Sequence, residues 1–390
     1  MNKKILYIVP GYDPTYNDGV GNRVNSFVSA FESHGYEVTV APLVWVKSWY
    51  RVWRRKGELR KSCKWLILPF YFSYDNLKYN LFIPLFRVLF WLYALVYRPS
   101  FILTDYAMGA YLVGLCRNKT KIIVNHRGDY IDEYAFSNGD IVEEHTLANM
   151  LKLLSYSVTI AHGSICVSEK LKNNIEFRTN KKLQKCYIFP CCPDIERFAK
   201  VEPVVSEDTI VGYFGGLNKW QCFSQVIEIA QRLSAVDSSI KLLILTNSDA
   251  SSYRKDLEKL GKGNYIIKSV PYKDMPNEIA RMDVSFALRE ERDLNFVSSP
   301  TKIGESLAAG VPVVVTEASG DYIEQVRHKV NGYVLKNFQY SDKTIKDLSD
   351  YIRHVKANRK EISTLSKSSV ENRKWRLHAE AFISMIETII

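Results

Sequence analysis

The seven cysteines of this 390-residue chain form neither a disulfide pattern nor a metal-site pattern. Their number is odd, their spacings do not pair, and the adjacent Cys191 and Cys192 have poor geometry for an ordinary disulfide. We therefore interpret them as reduced thiols of a cytosolic protein. An Asp-x-Asp sequence, typical of sites that hold a divalent cation, is also missing.

Long apolar runs are scarce as well. The N-terminal run up to Val9 is too short for a signal peptide and ends at Pro10-Gly11, so it is predicted to be a buried strand. The most apolar stretch, Leu81 to Tyr97, contains Pro84 and Arg87 and falls short of the ~20 residues that a membrane span needs. We predict a core helix there, with shallow membrane contact as the second interpretation.

What the chain does have is size and positive charge. A length of 390 residues favours two domains, and 46% apolar and 24% charged residues are ordinary for a soluble globular protein. The net charge of +11 favours an anionic partner, which can be a nucleotide, an anionic membrane surface or nucleic acid. Because no nucleic-acid recognition motif accompanies this charge, nucleic acid is not expected.

The first half alternates strand and helix patterns. A strand at Lys4–Val9, a turn containing Gly19 and Gly21, a helix at Arg23–Glu32 and a strand at Tyr36–Pro42 are typical of the opening of a doubly wound nucleotide-type domain. The glycines do not match the dinucleotide fingerprint, so NAD is not inferred. Either they allow close approach to a ligand or they only make a tight turn.

The alternation restarts after a break at Pro190 and Pro193. A strand is predicted at Thr209–Phe214, followed by a Gly215-Gly216 turn and a helix. The sequence thus predicts an α/β fold of two Rossmann-like doubly wound domains, residues 1–200 and 201–374. A helix at 375–390 is expected to pack back on the first domain.

The stretch Arg289–Pro312 has the strongest local signal for a phosphate site. Ser299 is predicted as the N-cap of a helix that Gly310 ends, and the start of a helix favours an anion. Ser298 and Thr301 are expected to add hydroxyl donors, and Lys302 a full charge. Glu305 is three residues from Lys302, so both face one side of the helix; the pair either binds a nucleotide sugar or is a surface ion pair.

Two features of the first domain stand out. His126 and Asp129 follow a predicted strand, Thr120–Asn125, at the end where open α/β sheets place ligands. The next strand in this domain is predicted at Val158–Val167. Earlier in the chain, the segment 47–64 interleaves tryptophan with eight basic residues, which suits either an anionic bilayer interface or a solvated helix: Lys47, Arg51, Arg54, Arg55, Lys56, Arg60, Lys61 and Lys64.

The order of these elements resembles the family-four-like retaining glycosyltransferases of the GT-B fold, in which two such domains face a central cleft. The Ser299–Pro312 block, SPTKIGESLAAGVP, is the most specific piece and resembles a subgroup of bacterial surface-polysaccharide enzymes. Weaker matches support it along most of the chain: Gly19, Gly21, His126, Val167-Ser168, Asp194–Phe198, Gly212–Leu217 and Asn331–Tyr333.

The resemblance implies roles for individual residues. Glu305 would bind the ribose hydroxyls, and Lys302, Thr301 and Ser299 would hold the diphosphate. His126 would face the donor sugar or the acceptor, with Asp129 as its neighbour or substitute. Four further positions would border the donor: Gly215, Gly216, Lys219 and Arg289. Gly19 and Gly21 would let the backbone of the first domain approach the donor phosphates or the acceptor. One departure is Val297, which stands where such enzymes often carry a first glutamate; Glu290 or Glu291 is the expected replacement.

The sequence therefore predicts a metal-independent, retaining glycosyltransferase without a cofactor. Its expected partners are a nucleotide-sugar donor, a lipid-linked or oligosaccharide acceptor, and an anionic membrane surface contacted by residues 47–97. The expected location is the inner face of the cytoplasmic membrane. Two alternatives stay open: a nucleotide-sugar epimerase on the same fold, and a non-catalytic glycan- or nucleotide-binding subunit.

Overall fold

The chain forms two compact units, Met1–Pro190 with Arg376–Ile390, and Cys191–Trp375. The structure is a computed structural model, and it describes residues 3–15, 19–75, 82–336, 338 and 340–390. The first unit ends before the expected boundary at residue 200, because the segment from Cys191 packs with the second unit. Tyr322 donates a hydrogen bond to the carbonyl of Cys191 (2.8 Å), and Phe198 lies in the core of the second unit.

The first unit is built on a parallel sheet with the order β3-β2-β1-β5-β6-β7-β8, where β4 also pairs with β2. Its strands are mostly buried at the centre of the sheet, as expected where helices cover each side, and partly exposed at its edges. They are β1 Lys3–Pro10, β2 Tyr36–Trp45, β3 Lys64–Trp65, β4 Leu68–Phe70, β5 Phe101–Asp105, β6 Lys121–His126, β7 Gly163–Cys166 and β8 Cys186–Ile188.

Seven helices of this unit connect the strands. They are α1 Gly19–Ser33, α2 Val46–Arg54, α3 Phe82–Tyr97, α4 Tyr106–Val113, α5 Tyr130–Ser137, α6 Glu144–Ile160 and α7 Glu169–Thr179. Because α1 begins at Gly19, Gly19 and Gly21 lie in its first turn and not in a loop before it, which corrects the predicted order; Asp18, the start of the expected loop, lies outside the described residues.

Two further predictions for this unit need correction. The predicted strand Val158–Val167 is helical up to Ile160, because Met150, Leu154 and Val158 repeat at helical spacing and bury one face of α6. The predicted core helix, α3, buries only one stripe and exposes the rest of its apolar surface. No helix in the described part of the chain is long and apolar enough to cross a membrane.

The second unit has a six-stranded parallel sheet with the order β11-β10-β9-β12-β13-β14. Its strands are β9 Thr209–Phe214, β10 Ile240–Leu245, β11 Tyr265–Lys268, β12 Val284–Ala287, β13 Val313–Thr316 and β14 Gly332–Leu335. Its helices are α8 Ile195–Phe198, α9 Phe223–Val236, α10 Arg254–Glu258, α11 Met275–Ile279, α12 Asp293–Phe296, α13 Thr301–Ala308, α14 Asp342–Ala357 and α15 Arg359–Ser369.

The last helix, α16 Trp375–Glu387, returns to the first unit. Phe382 is fully buried there, and its ring lies 5.4 Å from that of Phe27 and 5.5 Å from that of Phe189. Aromatic pairs at these distances stabilise a core beyond the area that they bury. The core of the first unit is therefore completed by the C-terminal end of the chain.

Candidate active site

The carboxyl ends of β9 and β12 form a topological switch point in the second unit. These strands are neighbours in the sheet, yet the chain leaves β9 towards β10 and leaves β12 towards β13, on the opposite side. Ligands of open α/β sheets bind in the crevice outside such a point. Gly215 follows β9, Arg289 follows β12 after one residue, and α13 begins nearby, so the sequence-predicted residues gather at this edge.

The start of α13 differs in detail from the prediction. The N-cap is Pro300 and not Ser299, and it offers no side-chain cap. Ser299 instead accepts a hydrogen bond from the backbone N–H of Cys191 (2.9 Å), and Ser298 donates to the carbonyl of Asn295 (2.7 Å). The two serine hydroxyls therefore hold the loop before α13 in place.

Lys302 lies in the first turn of α13 and packs against the turn after β9. Its Nζ donates to Gln221 Oε1 at 2.8 Å and lies 3.4 Å from the hydroxyl of Tyr213. Burial holds the pKa of Lys302 well below its usual range, and the charge of Arg289 adds to this effect. An ammonium group placed in this way gains from any anion that enters the crevice.

Glu305 occupies the next turn of the same helix face. Its Oε1 accepts a hydrogen bond from the hydroxyl of Tyr272 (3.2 Å). Burial raises the pKa of Glu305 to about 7, against the opposing effect of the Tyr272 hydrogen bond and the charge of Lys302. Lys302 and Glu305 thus bond to different partners at a partly buried edge. This argues against the alternative that the two residues form a surface ion pair with each other.

Arg289 is the second cation of this edge, and it is buried. Its Nη1 donates to the carbonyl of Leu288 (2.8 Å), and its backbone exchanges hydrogen bonds with the hydroxyl of Thr316. Burial lowers the pKa of Arg289. The charge of Arg289 disfavours that of Lys302, so this edge has an excess of partly desolvated positive charge.

The glycine turn after β9 makes room for Lys302. Gly215 has φ +110°, and its N–H donates to the carbonyl of Leu245 at the end of the neighbouring strand (2.8 Å). The carbonyl of Gly216 accepts a hydrogen bond from the hydroxyl of Tyr213. Lys219 follows in an exposed helical turn, so it is near the edge in sequence but its side chain is in solvent.

Val297 is buried in the loop that leads to α13. Of the two glutamates expected to replace the missing one, Glu290 is half-buried and Glu291 is exposed. The carbonyl of Glu290 accepts a hydrogen bond from the side chain of Asn295 (3.0 Å), which fixes the backbone there. Between these two, Glu290 is the one held at the site edge.

In the first unit, His126 is the last residue of β6 and lies at the carboxyl edge of the sheet. Burial lowers the pKa of His126 to about 4, so the imidazole is neutral at physiological pH. Its Nε2 is buried and has no hydrogen-bond partner among the described residues. A buried polar atom without a partner is unusual in a folded protein and marks a place where a ligand atom can bond.

Asp129 is engaged in the structure of the protein itself. Its Oδ1 accepts from the backbone N–H groups of Ile131 and Asp132, as the N-cap of α5. Its Oδ2 accepts from Asn174 (2.8 Å) and pairs with Arg178 (2.7 Å). Because both oxygens have partners, Asp129 fits a positioning role better than the catalytic role that the sequence suggested.

The sequence analysis missed a buried polar network beside His126. Asp105, at the end of β5, accepts hydrogen bonds from Tyr7 (3.0 Å) and Asn125 (2.7 Å) and pairs with Arg127 (3.2 Å). The next residue, Tyr106, has φ +58°, which is costly for a side chain of this size. The only signal in the sequence was an aspartate directly after an apolar strand. In the second unit, the sequence analysis assigned no role to Tyr213, Gln221 or Tyr272, although Tyr213 lies in the segment Gly212–Leu217 that carries part of the resemblance.

Comparisons with known proteins agree with this geometry. Residues 194–370 match the family model described as "Glycosyl transferases group 1". Among solved structures, sucrose-phosphate synthase from Thermosynechococcus elongatus is similar over 100% of this chain and 99% of its own (TM-score 0.74, 14% identity). A comparison with curated protein sequences found no match.

Two other structures extend the likeness. The lipopolysaccharide outer core galactosyltransferase WaaB, in its apo form, is 14% identical with a TM-score of 0.68, covering 99% of this chain and 100% of its own. HepE from Anabaena in complex with UDP is 11% identical with a TM-score of 0.71, with the same coverage. The fold is GT-B, with two parallel-sheet Rossmann-like units, as predicted. With the family match in the second unit, the chain is a glycosyltransferase.

Proposed function

We propose that this protein transfers a sugar, with retention of configuration and without a metal ion, from a nucleoside-diphosphate sugar to a lipid-linked or growing polysaccharide acceptor. The observation that carries the donor half is the placement of Lys302, Arg289 and Glu305 at the switch point of the second sheet. Two partly desolvated cations and one carboxylate match the two ends of such a donor, its diphosphate and its ribose.

The positive charge at this edge supports binding of the donor's diphosphate. Breaking the bond between the sugar and the diphosphate leaves negative charge on the departing oxygen, and groups aimed at that charge lower the barrier. Lys302 and Arg289 supply two positive charges, and the start of α13 adds the positive end of a helix dipole. Thr301, in the first turn, offers a hydroxyl. We propose that these groups do the work that a divalent cation does in other transferases.

The ribose end follows from the carboxylate. Glu305 lies one helical turn from Lys302, and an ionised carboxylate accepts hydrogen bonds from both hydroxyls of a diol. Its raised pKa reflects burial, which disfavours this charge. Two donated hydrogen bonds from a ribose stabilise the ionised form, so binding of the nucleoside lowers that pKa.

At the reacting sugar we assign His126 a hydrogen-bonding role. A neutral imidazole with a pKa of about 4 is too weak a base to take the acceptor proton at neutral pH. Its unpartnered Nε2 is suited to bonding a sugar hydroxyl as charge develops at the anomeric carbon. The acceptor hydroxyl then loses its proton to the departing diphosphate, which gains negative charge in the same step.

The acceptor class is inferred from the surface of the first unit. α2 exposes Tyr50 and Trp53, and their rings lie under the cations of Arg54 and Lys56. Tryptophan and cations interleaved on one short helix suit the headgroup layer of an anionic membrane. We propose peripheral association with the inner face of the cytoplasmic membrane, where lipid-linked acceptors of cell-envelope glycans are found.

Not all of the basic charge in segment 47–64 is available for this surface. Four of its eight cations pair with acidic groups, three of which lie elsewhere in the chain: Arg51–Asp13, Arg55–Glu58, Arg60–Glu32 and Lys64–Glu37. Lys47, Arg54, Lys56 and Lys61 are exposed. The membrane proposal rests on these four and on the aromatic residues.

Helix α3 adds an exposed apolar stripe to the proposal. Five of its residues repeat at helical spacing and are exposed: Leu85, Val88, Leu89, Leu92 and Val96. The only charged side chain of α3, Arg87, lies over the ring of Tyr111 on the packed side (4.4 Å). An uncharged stripe next in sequence to a basic, tryptophan-rich segment fits a lipid surface that carries both an apolar interior and anionic headgroups.

A nucleotide screen tests the donor site. UDP, GDP, ADP and CMP are added to the full-length protein, and the melting temperature is measured. We expect one nucleoside diphosphate to stabilise the protein, Lys302→Ala to weaken its binding about tenfold or more, and the charge-matched control Lys262→Ala to leave it unchanged, because Lys262 is exposed in a turn before β11.

The outcome separates the alternatives. If none of the nucleotides binds, the non-catalytic glycan-binding subunit becomes the better account. When one binds, the matching nucleotide sugar is incubated with the protein and the products are analysed by NMR. Free nucleoside diphosphate and a new glycoside support transfer, whereas an isomerised nucleotide sugar without release of the diphosphate identifies an epimerase.

A further inference from the structure

A cavity of about 290 Å³ lies at the carboxyl edge of the first sheet, apart from His126 and the Asp105 network. It opens where β1 and β2 end side by side, since Pro10 pairs with Leu43 in the parallel register. Gly11 turns the chain away with φ +71° and donates its N–H to the carbonyl of Leu43 (2.9 Å). The turn after β1, the start of α1, the end of β2 and the first turns of α2 line the space.

The walls of this cavity differ in chemistry. One part is aromatic and aliphatic, and the other carries polar groups: Tyr12, Val20, Val44 and Trp45 on the first, and Asp13, Ser48 and Arg51 on the second. Trp45 is 48% exposed, so its indole ring is available as a surface. A ligand with one apolar face and a rim of hydroxyl groups matches such a site.

The charge of the cavity argues against a phosphate. Arg51, the only cation among the lining residues, pairs with Asp13 Oδ2 at 2.6 Å, and Asp13 is held in turn by the N–H and hydroxyl of Thr15. The pair is neutral overall and offers both donors and acceptors in a fixed geometry. The exposed cations of α2, such as Lys47 and Arg54, lie outside the lining.

We infer that this cavity binds one uncharged sugar ring of the acceptor, stacked on Trp45 and hydrogen-bonded through Arg51, Asp13 and Ser48. The C–H groups on one face of a pyranose cover the indole ring, and its hydroxyls meet the polar wall. The volume is at the lower end of ligand pockets, about 300–1,000 Å³, which fits a single ring and not an extended chain. The assignment to an acceptor rests on the proposed function; the binding of a sugar does not.

The test is direct binding of neutral sugars to the full-length protein. Methyl glycosides of glucose, galactose, mannose and N-acetylglucosamine are the probes, and saturation-transfer NMR reports which ring protons contact the protein. We expect at least one glycoside to bind, with the strongest transfer on one face of the ring. Trp45→Ala should weaken that binding about tenfold or more, and Arg51→Gln should weaken it as well.

Controls keep this result separate from folding and from the donor site. Phe177→Ala removes an even more exposed aromatic ring from α7, far along the chain, and should leave glycoside binding unchanged. Nucleotide-dependent stabilisation, measured on the same samples, should survive in Trp45→Ala. If nucleotides fail to bind but the glycoside effect holds, the sugar site stands and the transferase proposal falls.

Three outcomes would overturn the inference. One is that none of the methyl glycosides binds to the wild type. Another is that glycosides bind equally well to Trp45→Ala. The third is that inorganic phosphate or pyrophosphate displaces the glycoside, because a neutral Arg51–Asp13 pair gives no reason for an anion to compete.

Discussion

The side chain of Lys302 occupies the space that a β-carbon on Gly215 would fill, since that position is 2.3 Å from Lys302 Cε and 2.4 Å from Nζ. The glycine and the lysine therefore depend on each other. Gly215 also has φ +110°, a conformation that side chains rarely adopt. Any residue larger than glycine at 215 moves the cation from the place where the diphosphate is expected.

This dependence predicts the effect of Gly215→Ala. We expect the variant to lose about 1–3 kcal/mol of unfolding free energy through backbone strain, and to lose nucleotide affinity through displacement of Lys302. Gly216→Ala is the neighbouring comparison, because a β-carbon there meets nothing closer than 3.7 Å. Denaturant unfolding and calorimetric nucleotide titration measure both effects. Equal affinities for the two variants would contradict the role given to the glycine.

Glu305 predicts a pH dependence of nucleotide binding. Its pKa in the empty protein is about 7, and the ribose is expected to bond the ionised form. Affinity should therefore rise with pH up to about pH 7 and then level off, with release of a proton below that point. Calorimetry in buffers of different ionisation enthalpy measures the released proton. In Glu305→Gln this rise should disappear and affinity should be weaker throughout.

The Glu305 carboxyl also predicts that the stability of the protein falls as the pH rises, whereas its nucleotide affinity increases. A carboxyl whose pKa is raised on folding stabilises the protein fully below the unfolded pKa, near 4.5, and this stabilisation is lost as pH rises through about 7. Glu305→Gln should therefore raise the melting temperature of the nucleotide-free protein at about pH 8 and change it little at about pH 4. A variant that is less stable at the higher pH would show that the hydrogen bond from Tyr272 stabilises the protein by more than the buried charge costs.

Substitutions of His126 and Asp129 are predicted to have different effects, a loss of turnover for His126 and a loss of stability for Asp129. His126→Ala should reduce the turnover rate about tenfold or more while nucleotide affinity is retained, because the imidazole is assigned to the sugar and not to the nucleotide. Asp129→Asn should keep most of the turnover but lose roughly 2 kcal/mol of stability through its bonds to Arg178 and the α5 backbone. Kinetics and chemical denaturation of both variants check this, and a large loss of turnover in folded Asp129→Asn would return that residue to a catalytic role.

Membrane association is predicted to need both α2 and α3. Purified protein should sediment with phosphatidylglycerol vesicles at low salt, less at high salt because exposed charges are screened, and poorly with phosphatidylcholine vesicles. The double variant Leu89→Glu with Leu92→Glu should lose vesicle binding while keeping its melting temperature, since both residues are exposed. Val205→Glu, an exposed apolar site in the second unit, is the matched control. Unchanged sedimentation of the α3 variant would show that the apolar stripe of α3 does not contribute to membrane binding.

The fold was predictable because the short apolar runs that indicate strands locally are also what a parallel sheet covered by helices requires. The apolar run Thr209–Phe214, for example, is a strand with the predicted bounds, since nearly all of its residues are buried in a parallel sheet. The strand predicted at Val158–Val167 is present only in its later part, since β7 is Gly163–Cys166 and Val158–Ile160 belongs to α6. There the burial of one face of α6 outweighs local propensity.

The site residues on α13 could be predicted from the sequence, but their partners on other elements could not. Lys302 and Glu305 lie at a spacing that any helix places on one face. Their partners Gln221, Tyr213 and Tyr272 come from loops and strands far away in sequence, and no period or motif connects them. The same holds for Asp105, whose network with Tyr7 and Arg127 depends on the strand order β1-β5-β6. Contacts across a sheet follow from topology, which a local pattern does not contain.

The return of α16 to the first unit has a consequence for how the protein folds during synthesis. The second unit, Cys191–Trp375, is complete before α16 emerges from the ribosome, so it can fold while the chain is still growing. The first unit, although most of it is made earlier, lacks Phe382, which packs on Phe27 and Phe31, until α16 is made. The half of the protein that is made first is therefore the half that matures last, and a ribosome stall near Arg373 would leave its apolar surface uncovered.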